Sequence, residues 1–250
     1  MSKKGIAVQM YSLRNECEQD FIGTLKKVAG LGFDGVELAG YGGLSAGELR
    51  DVLENLGLKA ASSHVPLESL ENDVEEVIRY QKELGNSHIV CPILPRDRNS
   101  RKDYENLIET LNTVGEMCHK DGITLSYHNH DFELLPFEDG VKPLEMILEE
   151  TNPKWVKAEF DVYWLKKAGE DPVEWLTRYQ DRTPLIHLKD MTTDGEQFFA
   201  ELGTGGVNMG AILQHISTVP VEWWIIEQDQ SRTTPFESIE KSINYLKNRS

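Results

Sequence analysis

The feature that most constrains this fold is a junction that recurs along the chain. At each junction an amphipathic helical segment ends in glycine, and an apolar, strand-like run begins at once. Glycine is common just beyond a helix because it adopts positive φ without strain. These glycines are Gly32, Gly57, Gly85 and Gly122. Strands that alternate with helices pair in parallel through right-handed crossovers, so the pattern predicts an α/β fold with one parallel sheet.

The number of repeats selects among α/β folds. The alternation gives eight predicted strands and eight predicted helices in 250 residues, one of them an acidic helix over residues 68–83. A TIM barrel typically takes about 250 residues, and no G-x-G-x-x-G turn of a dinucleotide-binding sheet follows the first strand. We therefore predict a single (β/α)8 TIM barrel domain over residues 1–250, with a doubly wound sheet as the alternative. The predicted strands are 5–11, 33–38, 58–64, 88–92, 123–128, 155–160, 184–188 and 223–227.

The charge balance narrows the class of partner. Asp and Glu number 42 against 26 Lys and Arg, which gives a formal net charge of −16, and the longest basic runs are pairs such as Lys26-Lys27. Such a field repels nucleic acid. No apolar run approaches the ~20 residues of a membrane helix, and no secretory leader is recognisable. The three cysteines lack metal-type spacing, which favours a reducing compartment. We expect a cytoplasmic protein with a small-molecule substrate and no nucleic-acid or membrane partner.

Ionisable residues concentrate where the predicted strands end, which is the active-site face of a TIM barrel. Residues two apart share one face of a strand, so four pairs are expected to point into the barrel mouth together. The pairs are His128 and His130, Glu159 and Asp161, His187 and Lys189, and Glu227 and Asp229. Burying several carboxylates together is costly unless a cation neutralises them. The mixed carboxylate and imidazole groups therefore predict one divalent metal ion, of the kind Mn²⁺, Mg²⁺, Co²⁺ or Zn²⁺.

Four motifs carry a resemblance to a known family. They are YHNHDFE at residues 127–133, FDVYW at 160–164, HLKD at 187–190 and IEQD at 226–229. Together they resemble the sugar phosphate isomerase/epimerase family of the xylose-isomerase-like TIM barrel superfamily. That superfamily also contains inosose dehydratases, ketose 3-epimerases and endonuclease IV nucleases. The resemblance covers nearly the whole chain, including the GFDGVEL segment at 32–38.

The resemblance implies a ligand set for the metal. Carried over by position, one divalent ion is bound by residues from the ends of strands five to eight, namely Glu133, Asp161, His187 and Glu227. The strand-five position has an alternative, because several relatives place a glutamate where this chain has His128. His128 is then the ligand, and Glu133 lies further out.

The activity that the resemblance implies is isomerisation or epimerisation of a keto-sugar or cyclitol. A proton leaves the carbon next to a carbonyl, and the metal stabilises the resulting enediolate. The residues expected to act in catalysis are Glu133, Glu227, His128, His130 and Lys189. The residues expected to bind substrate are Gln9, Tyr11, His64, Trp164 and Asp190.

Other functions stay open at this point. The same metal and bases serve a dehydratase or lyase that acts on inososes or 3-keto-glycosides. An endonuclease IV-like AP endonuclease conflicts with the net charge, and a non-catalytic sugar-binding barrel would predict a broken ligand set. A phosphorylated substrate is disfavoured because few arginines lie near the predicted mouth. A homo-oligomer is expected only by analogy with relatives.

The first testable prediction follows from the charge. At physiological salt the protein should not bind duplex DNA that contains an abasic site, because the net charge of −16 opposes contact with phosphates. Fluorescence anisotropy of labelled DNA measures binding, and a gel assay with added Mn²⁺ measures cleavage. A complex with micromolar affinity, or cleavage of the DNA strand, would contradict the prediction and favour an endonuclease function.

Overall fold

Eight parallel strands close into a barrel in the computed structural model, which describes residues 4–249. The first strand pairs with the last, with Ile6 opposite Trp224, and each other strand pairs with its neighbours in chain order. The predicted TIM barrel is confirmed, and the open doubly wound sheet is not. Residues 1–3 and 250 of the predicted domain lie outside the described part of the chain.

The barrel strands are labelled in chain order. They are β1 (Gly5–Gln9), β2 (Gly35–Leu38), β3 (Lys59–His64), β4 (His88–Cys91), β5 (Thr124–His128), β6 (Val156–Asp161), β7 (Leu185–Leu188) and β8 (Trp223–Ile226). Several are shorter than predicted. β1, for example, stops at Gln9, whose side chain accepts a hydrogen bond from the Tyr11 N–H and starts a 3-10 turn over Met10–Leu13. A hairpin of Asp190–Met191 with Phe199–Ala200 follows β7 and was not predicted.

Ten α-helices lie between and after these strands in residues 4–249. They are α1 (Arg14–Leu31), α2 (Ala46–Leu56), α3 (Leu67–Asn72), α4 (Val74–Leu84), α5 (Arg101–Lys120), α6 (Pro143–Glu150), α7 (Val162–Lys167), α8 (Pro172–Arg178), α9 (Met209–Ile216) and α10 (Pro235–Lys247). The single acidic helix predicted over 68–83 is wrong, because Asp73 has φ −133° and ψ 28°, which separates α3 from α4. None of the helices in the described range is both long and apolar enough to cross a bilayer.

The helix–glycine junctions behave as the sequence predicts. Gly32, Gly57 and Gly85 each follow the last residue of a helix with φ between 69° and 80°. Gly122 stands one position further out, after Asp121, and also has positive φ. Only two or three residues therefore separate each of these helices from the next strand, which keeps the connections short.

The interior of the barrel has an apolar layer and a polar layer, which follow one another along the strand direction. Its apolar part is a separate cluster of fully buried side chains from five strands, namely Ala7, Ala61, Val90, Leu185 and Ile225. On four of these five strands a polar or ionisable side chain follows toward the C-terminal end, namely Gln9, His64, His187 and, just past β8, Glu227. A close-packed apolar layer therefore lies beneath the mouth and supports the groups that line it.

A core substitution tests this layer. Leu185→Ala should lower the free energy of unfolding by about 2–5 kcal/mol, because Leu185 is fully buried inside the barrel. Leu135→Ala is the matched control, since Leu135 is 65 % exposed and should change stability by less than about 0.5 kcal/mol. Urea unfolding followed by tryptophan fluorescence measures both. Equal effects of the two variants would show that the layer is not a packed core.

Candidate metal centre

Four side chains from consecutive strands converge at the C-terminal mouth. We call His128, Asp161, His187 and Glu227 the donor cluster; one donor atom of each lies within 4.8 Å of the others, and all four residues are buried. The strand register produces this convergence, because Asp161 stands opposite His187 and His128 opposite Glu159, on the same face of β6 as Asp161.

The distances within the donor cluster fit one ion. His187 Nδ1 lies 2.9 Å from Glu227 Oε2 and 4.0 Å from Asp161 Oδ2, and His128 Nε2 lies 3.9 Å from the same Asp161 oxygen. Two imidazole nitrogens and two carboxylates are the donors that Zn²⁺, Co²⁺ and Mn²⁺ accept. The residues present therefore suit the divalent metal that the sequence predicts.

A second group of buried side chains touches the donor cluster from inside the barrel. We call Glu37, His64 and Glu159 the inner network. Glu37 Oε2 lies 2.6 Å from His187 Nε2, and Glu159 Oε2 lies 3.0 Å from His128 Nδ1. His64 Nε2 joins the two carboxylates, at 2.9 Å from Glu159 and 3.2 Å from Glu37.

Gln9 belongs with this network rather than with the cavity. It is fully buried, and its amide donates to Glu37 Oε2 at 2.6 Å while its carbonyl oxygen accepts from the Tyr11 N–H. Ser62 Oγ donates to the other Glu37 oxygen, also at 2.6 Å. The sequence predicts substrate binding for Gln9, and the structure instead gives it the position of a Glu37 partner.

Lys189 carries positive charge into the mouth. Its side chain is only 1 % exposed, and Nζ lies 2.8 Å from Glu227, 3.0 Å from Asp161 and 3.1 Å from Asp229. Burial would lower the pKa of Lys189, but the three carboxylates raise it well above its usual value. The ammonium group is therefore charged at every working pH and neutralises part of the acidic cluster.

The histidines divide into charged and neutral groups. Burial would lower the pKa of His64, but Glu37 and Glu159 raise it to about 10. Burial and the neighbouring His187 hold the pKa of His128 well below its usual value. Burial and Lys189 likewise lower the pKa of His130 to about 3. His128 and His130 are thus neutral, and a neutral imidazole has the lone pair that metal binding or proton acceptance requires.

Glu133 does not lie with the donor cluster. It stands on the 3-10 turn Phe132–Leu134, where its carboxylate accepts hydrogen bonds from the Tyr127 hydroxyl and the His130 N–H, both at 2.8 Å. Tyr127 and His128 are adjacent on β5 and so point to opposite faces of the sheet. The partner of Tyr127 therefore lies behind the strand. Of the two alternatives for the strand-five donor, the structure brings His128 into the cluster and not Glu133.

Asp190 also differs from its predicted role in substrate binding. Its carboxylate is fully buried and accepts hydrogen bonds from the backbone N–H groups of Gly203, Gly205 and Val207 at 2.9 to 3.1 Å. It also accepts one from Met191 at 2.8 Å. Asp190 thus anchors the loop that follows β7. β7 ends at Leu188, and the hairpin that begins at Asp190 sets the direction of the Asp190 side chain.

The donor cluster opens into a cavity of about 890 Å³. Among the residues predicted to act in catalysis or substrate binding, those that line it are Tyr11, His64, His128, His130, Trp164 and Glu227. Asp161 and His187 lie beneath its surface. Tyr163, Trp164 and Phe199 form an aromatic wall, with Lys189 Nζ 5.3 Å from the Trp164 ring centroid. Such a wall suits the apolar face of a sugar ring.

Cationic side chains do line this cavity, contrary to the sequence-based expectation. Arg14 and Arg96 are part of its wall, together with Lys167. Arg14 donates to the backbone carbonyls of Tyr11 and Asp229, and Arg96 packs over the ring of Phe132. The scarcity of arginine therefore gives no argument against an anionic substrate.

Three carboxylates, of which Glu37 and Glu159 are fully buried, have larger parts in the site than their sequence pattern alone predicts. Glu37 and Glu159 contact the histidines of the donor cluster, and Asp229 contacts Lys189 and lines the cavity. The two-residue spacing that selected Asp161 and Glu227 also marks Glu159 and Asp229. For Glu37 the signal was its place in the GFDGVEL segment, a glutamate in an otherwise apolar strand.

The closed barrel and the donor cluster at its mouth define a TIM-barrel protein with a candidate metal centre. Comparison with family models identifies the group within that class. The chain belongs to the xylose isomerase-like TIM barrel family, whose model matches residues 25–249.

Individual relatives agree with this membership. An inosose dehydratase of Mesomycoplasma hyopneumoniae strain J is 31 % identical over 171 residues, which cover 59 % of this chain and 55 % of that protein's length. An inosose dehydratase of Geobacillus kaustophilus is 24 % identical over 264 residues and covers 89 % of this chain and 85 % of that protein. A crystal structure of a sugar phosphate isomerase/epimerase from Parabacteroides distasonis is 29 % identical with a TM-score of 0.82, covering 98 % and 94 % of the two chains.

The position of Glu133 predicts a pH-dependent stability. Burial raises the pKa of Glu133 from 4.5 to about 7, so the folded state binds its proton more tightly than the unfolded state. The free energy of unfolding should therefore fall by up to about 3 kcal/mol as pH rises from 4.5 to 7. The side chain of Glu133→Gln does not ionise, so the variant does not lose this stability. The difference in the free energy of unfolding between variant and wild type should therefore rise from pH 4.5 to pH 7 in favour of the variant, and then level off.

Urea unfolding of both proteins at intervals from pH 4.5 to pH 8 provides the measurement. A constant difference between wild type and Glu133→Gln would show that the Glu133 carboxyl is not desolvated as described.

Proposed function

We propose that this chain is a divalent-metal-dependent isomerase or epimerase of a keto-sugar or cyclitol, which removes a proton from the carbon next to a carbonyl. The observation that carries the proposal is the donor cluster, in which four buried donor atoms converge within 4.8 Å at the floor of a cavity of about 890 Å³. A cavity of this size has room for one sugar or cyclitol ring and a substituent.

His128, Asp161, His187 and Glu227 would hold the metal, with Glu133 outside the ligand set. A bound divalent cation supplies Lewis acidity toward a substrate carbonyl and its neighbouring hydroxyl. Within the cluster the residues have unequal access to the substrate. His128 and Glu227 line the cavity, whereas Asp161 and His187 do not. Asp161 and His187 are therefore fixed ligands in this proposal.

Glu227 is the proposed general base. It follows the apolar strand β8, is 7 % exposed, and reaches both the donor cluster and the cavity. Burial would raise the pKa of Glu227, but Lys189 and His187 hold it well below its usual value, so the carboxylate is ionised. Both of these residues contact Oε2, which leaves Oε1 as the oxygen proposed to accept the proton. The low exposure of Glu227 limits the water around its carboxylate, which strengthens its electrostatic interactions in the closed site.

Lys189 and Asp229 complete the proton chemistry. Lys189 Nζ lies 2.8 Å from Glu227 and provides a positive charge for the oxyanion that develops as the proton leaves. Asp229 lines the cavity. Burial raises its pKa to about 6, with Glu227 and Asp161 acting in the same direction and Lys189 opposing them. A carboxyl with that pKa can both give and accept a proton near neutral pH, so we assign the return of the proton to Asp229.

His130 and Trp164 are proposed to orient the substrate. Both line the cavity, and their ring centroids are 5.4 Å apart. The two rings would pack against an apolar face of the substrate and fix how it lies above the donor cluster.

Dehydration is the second candidate. The relatives named inosose dehydratase favour it, whereas the isomerase/epimerase from Parabacteroides distasonis favours the first candidate. Proton removal next to the carbonyl is common to both, and a dehydratase or lyase then expels a group from the adjacent carbon. The cavity also extends along the loops after β2, β3 and β4, where Tyr41, Pro66 and Ile93 line it. This extra space favours a glycoside over a free monosaccharide if a leaving group is present.

Glu227→Gln tests the proposed base. The substitution keeps the shape of the side chain but removes its basicity, so solvent-proton exchange at the substrate carbon should fall by about 10²–10⁴-fold. The probes are a free keto-sugar, an inosose and a 3-keto-glucoside, each incubated with Mn²⁺-loaded protein in deuterium oxide and followed by NMR. Inverted stereochemistry in the product indicates an epimerase, and loss of water or of the aglycone indicates a dehydratase or lyase.

Glu76→Gln is the matched control. Glu76 also lines the cavity but pairs with Arg79 at the surface and lies outside the donor cluster. This variant should keep the wild-type exchange rate. Wild-type exchange in Mn²⁺-loaded Glu227→Gln would remove Glu227 from the mechanism, and no exchange into any probe by the wild-type protein would overturn the proposed function.

A further inference from the structure

We propose that Glu37 and Glu159 are positioning residues for the metal centre. Each binds the far ring nitrogen of one histidine and so turns the near nitrogen toward the donor cluster. The inference rests on the metal dependence in the proposed function, and it assigns a part to two glutamates that do not belong to the ligand set.

The contact between Glu37 and His187 is the first observation. His187 Nδ1 faces Glu227 at 2.9 Å, and the opposite ring nitrogen, Nε2, lies 2.6 Å from Glu37 Oε2. Glu37 and His187 are fully buried, so water does not compete for this bond. A carboxylate that accepts a hydrogen bond from Nε2–H fixes the tautomer whose lone pair is on Nδ1. Glu37 therefore orients the ring, and Nδ1, which contacts Glu227 at 2.9 Å, is the nitrogen that a metal ion at the donor cluster would bind.

Glu159 and His128 repeat this arrangement with the ring nitrogens exchanged. His128 Nδ1 lies 3.0 Å from Glu159 Oε2, and His128 Nε2 faces Asp161 at 3.9 Å. The same reasoning leaves the lone pair on Nε2. The geometry thus assigns metal ligation to Nδ1 of His187 and to Nε2 of His128.

Other polar side chains hold the two glutamates in place. His64 Nε2 lies 2.9 Å from Glu159 Oε2 and 3.2 Å from Glu37 Oε2, and so joins the two carboxylates. Gln9 and Ser62 each donate to Glu37 at 2.6 Å. Because Glu37 accepts several hydrogen bonds at once, its carboxylate is held in one orientation. This carboxylate in turn fixes the orientation of the His187 ring.

A second metal ion in the inner network is the competing interpretation. Donor atoms of His64, His128, Glu159 and His187 also lie within 4.8 Å of one another. An ion there would use the ring nitrogens of His128 and His187 that face the glutamates. With both sites filled, each of these two rings would have to lose its remaining N–H proton. One ion per chain, with the glutamates as hydrogen-bond acceptors, needs no such deprotonation.

The experiment measures metal binding directly. Glu37→Gln and Glu159→Gln are compared with wild type for Co²⁺ affinity, by competition with a chromophoric chelator, and for the visible absorption of bound Co²⁺. Each variant should bind Co²⁺ about 10–100-fold more weakly, which is the effect expected for loss of a carboxylate partner of a ligating histidine. Circular dichroism checks that both variants fold.

Glu222→Gln is the matched control. Glu222 lies 3.3 Å from His88 Nε2 in another carboxylate–histidine pair, but His88 begins β4 and Glu222 precedes β8, at the opposite end of the barrel. This control removes a carboxylate–histidine contact that lies far from the donor cluster. Its Co²⁺ affinity and spectrum should equal those of wild type.

A second measurement uses the unaltered protein and does not depend on the folding of any variant. In the Zn²⁺-loaded chain with ¹⁵N-labelled histidine, NMR should show one histidine bound to the metal through Nδ1 and another through Nε2. Each should keep a hydrogen on its other ring nitrogen. Two histidines bound through the same type of nitrogen would overturn the assignment.

The remaining outcomes separate this inference from the proposed function. Wild-type Co²⁺ affinity in both glutamate variants, or two ions per chain, would overturn the inference and leave the proposed function intact. Weakened affinity in a protein that acts on none of the sugar probes would support the inference and overturn the function. A wild-type chain that binds neither Co²⁺ nor Zn²⁺ would overturn both.

Discussion

The structure depends on the neutralisation of four carboxylates inside a closed barrel. Glu37, Glu159 and Asp161 are fully buried and Glu227 is 7 % exposed, so water supplies little of the solvation that an ionised carboxylate needs. An unpaired charge in such a place costs several kcal/mol. Each of the four instead lies within 3.0 Å of a nitrogen of a lysine or histidine, and all of these nitrogens come from other strands of the barrel. Barrel closure and charge neutralisation therefore require each other.

This dependence explains why the site has two layers. The donor cluster comes from β5 to β8, whereas Gln9, Glu37 and His64 come from β1 to β3. The first three strands supply no residue of the donor cluster, yet Glu37 on β2 holds the His187 nitrogen that faces away from it. Both halves of the barrel thus contribute to one centre. A change in the pairing of β1 with β2 would move Glu37, and through it the ring of His187, without a substitution in the donor cluster or in the cavity wall.

Local rules predicted the parts of the molecule that local forces control. The glycine junctions located the strands, and the two-residue alternation brought Asp161, His187 and Glu227 to one point. The same rule could not place Glu133 or Asp190, because a 3-10 turn beyond β5 sets the direction of the Glu133 side chain and a hairpin after β7 sets that of Asp190. Nor could it find the contact of His64 with Glu159. These residues are 95 positions apart, and only the closed barrel brings them together.

The cavity wall and the donor cluster are built from different parts of the barrel. Substitutions can therefore alter the substrate specificity of such a site without altering the donor cluster. Tyr41, Tyr80 and Ile93 line the side of the cavity formed by the connections after β2, β3 and β4, and the rings of Tyr41 and Tyr80 are stacked at 4.2 Å. No residue of the donor cluster lies on these connections. Substitutions there can reshape the substrate pocket while the buried charges stay paired, whereas a substitution among Glu37, Glu159 or Lys189 unbalances the charge on which the centre depends. Differences in substrate among relatives with this barrel are therefore expected on the loops after β2 to β4, and the proton chemistry is expected to stay at the ends of β5 to β8.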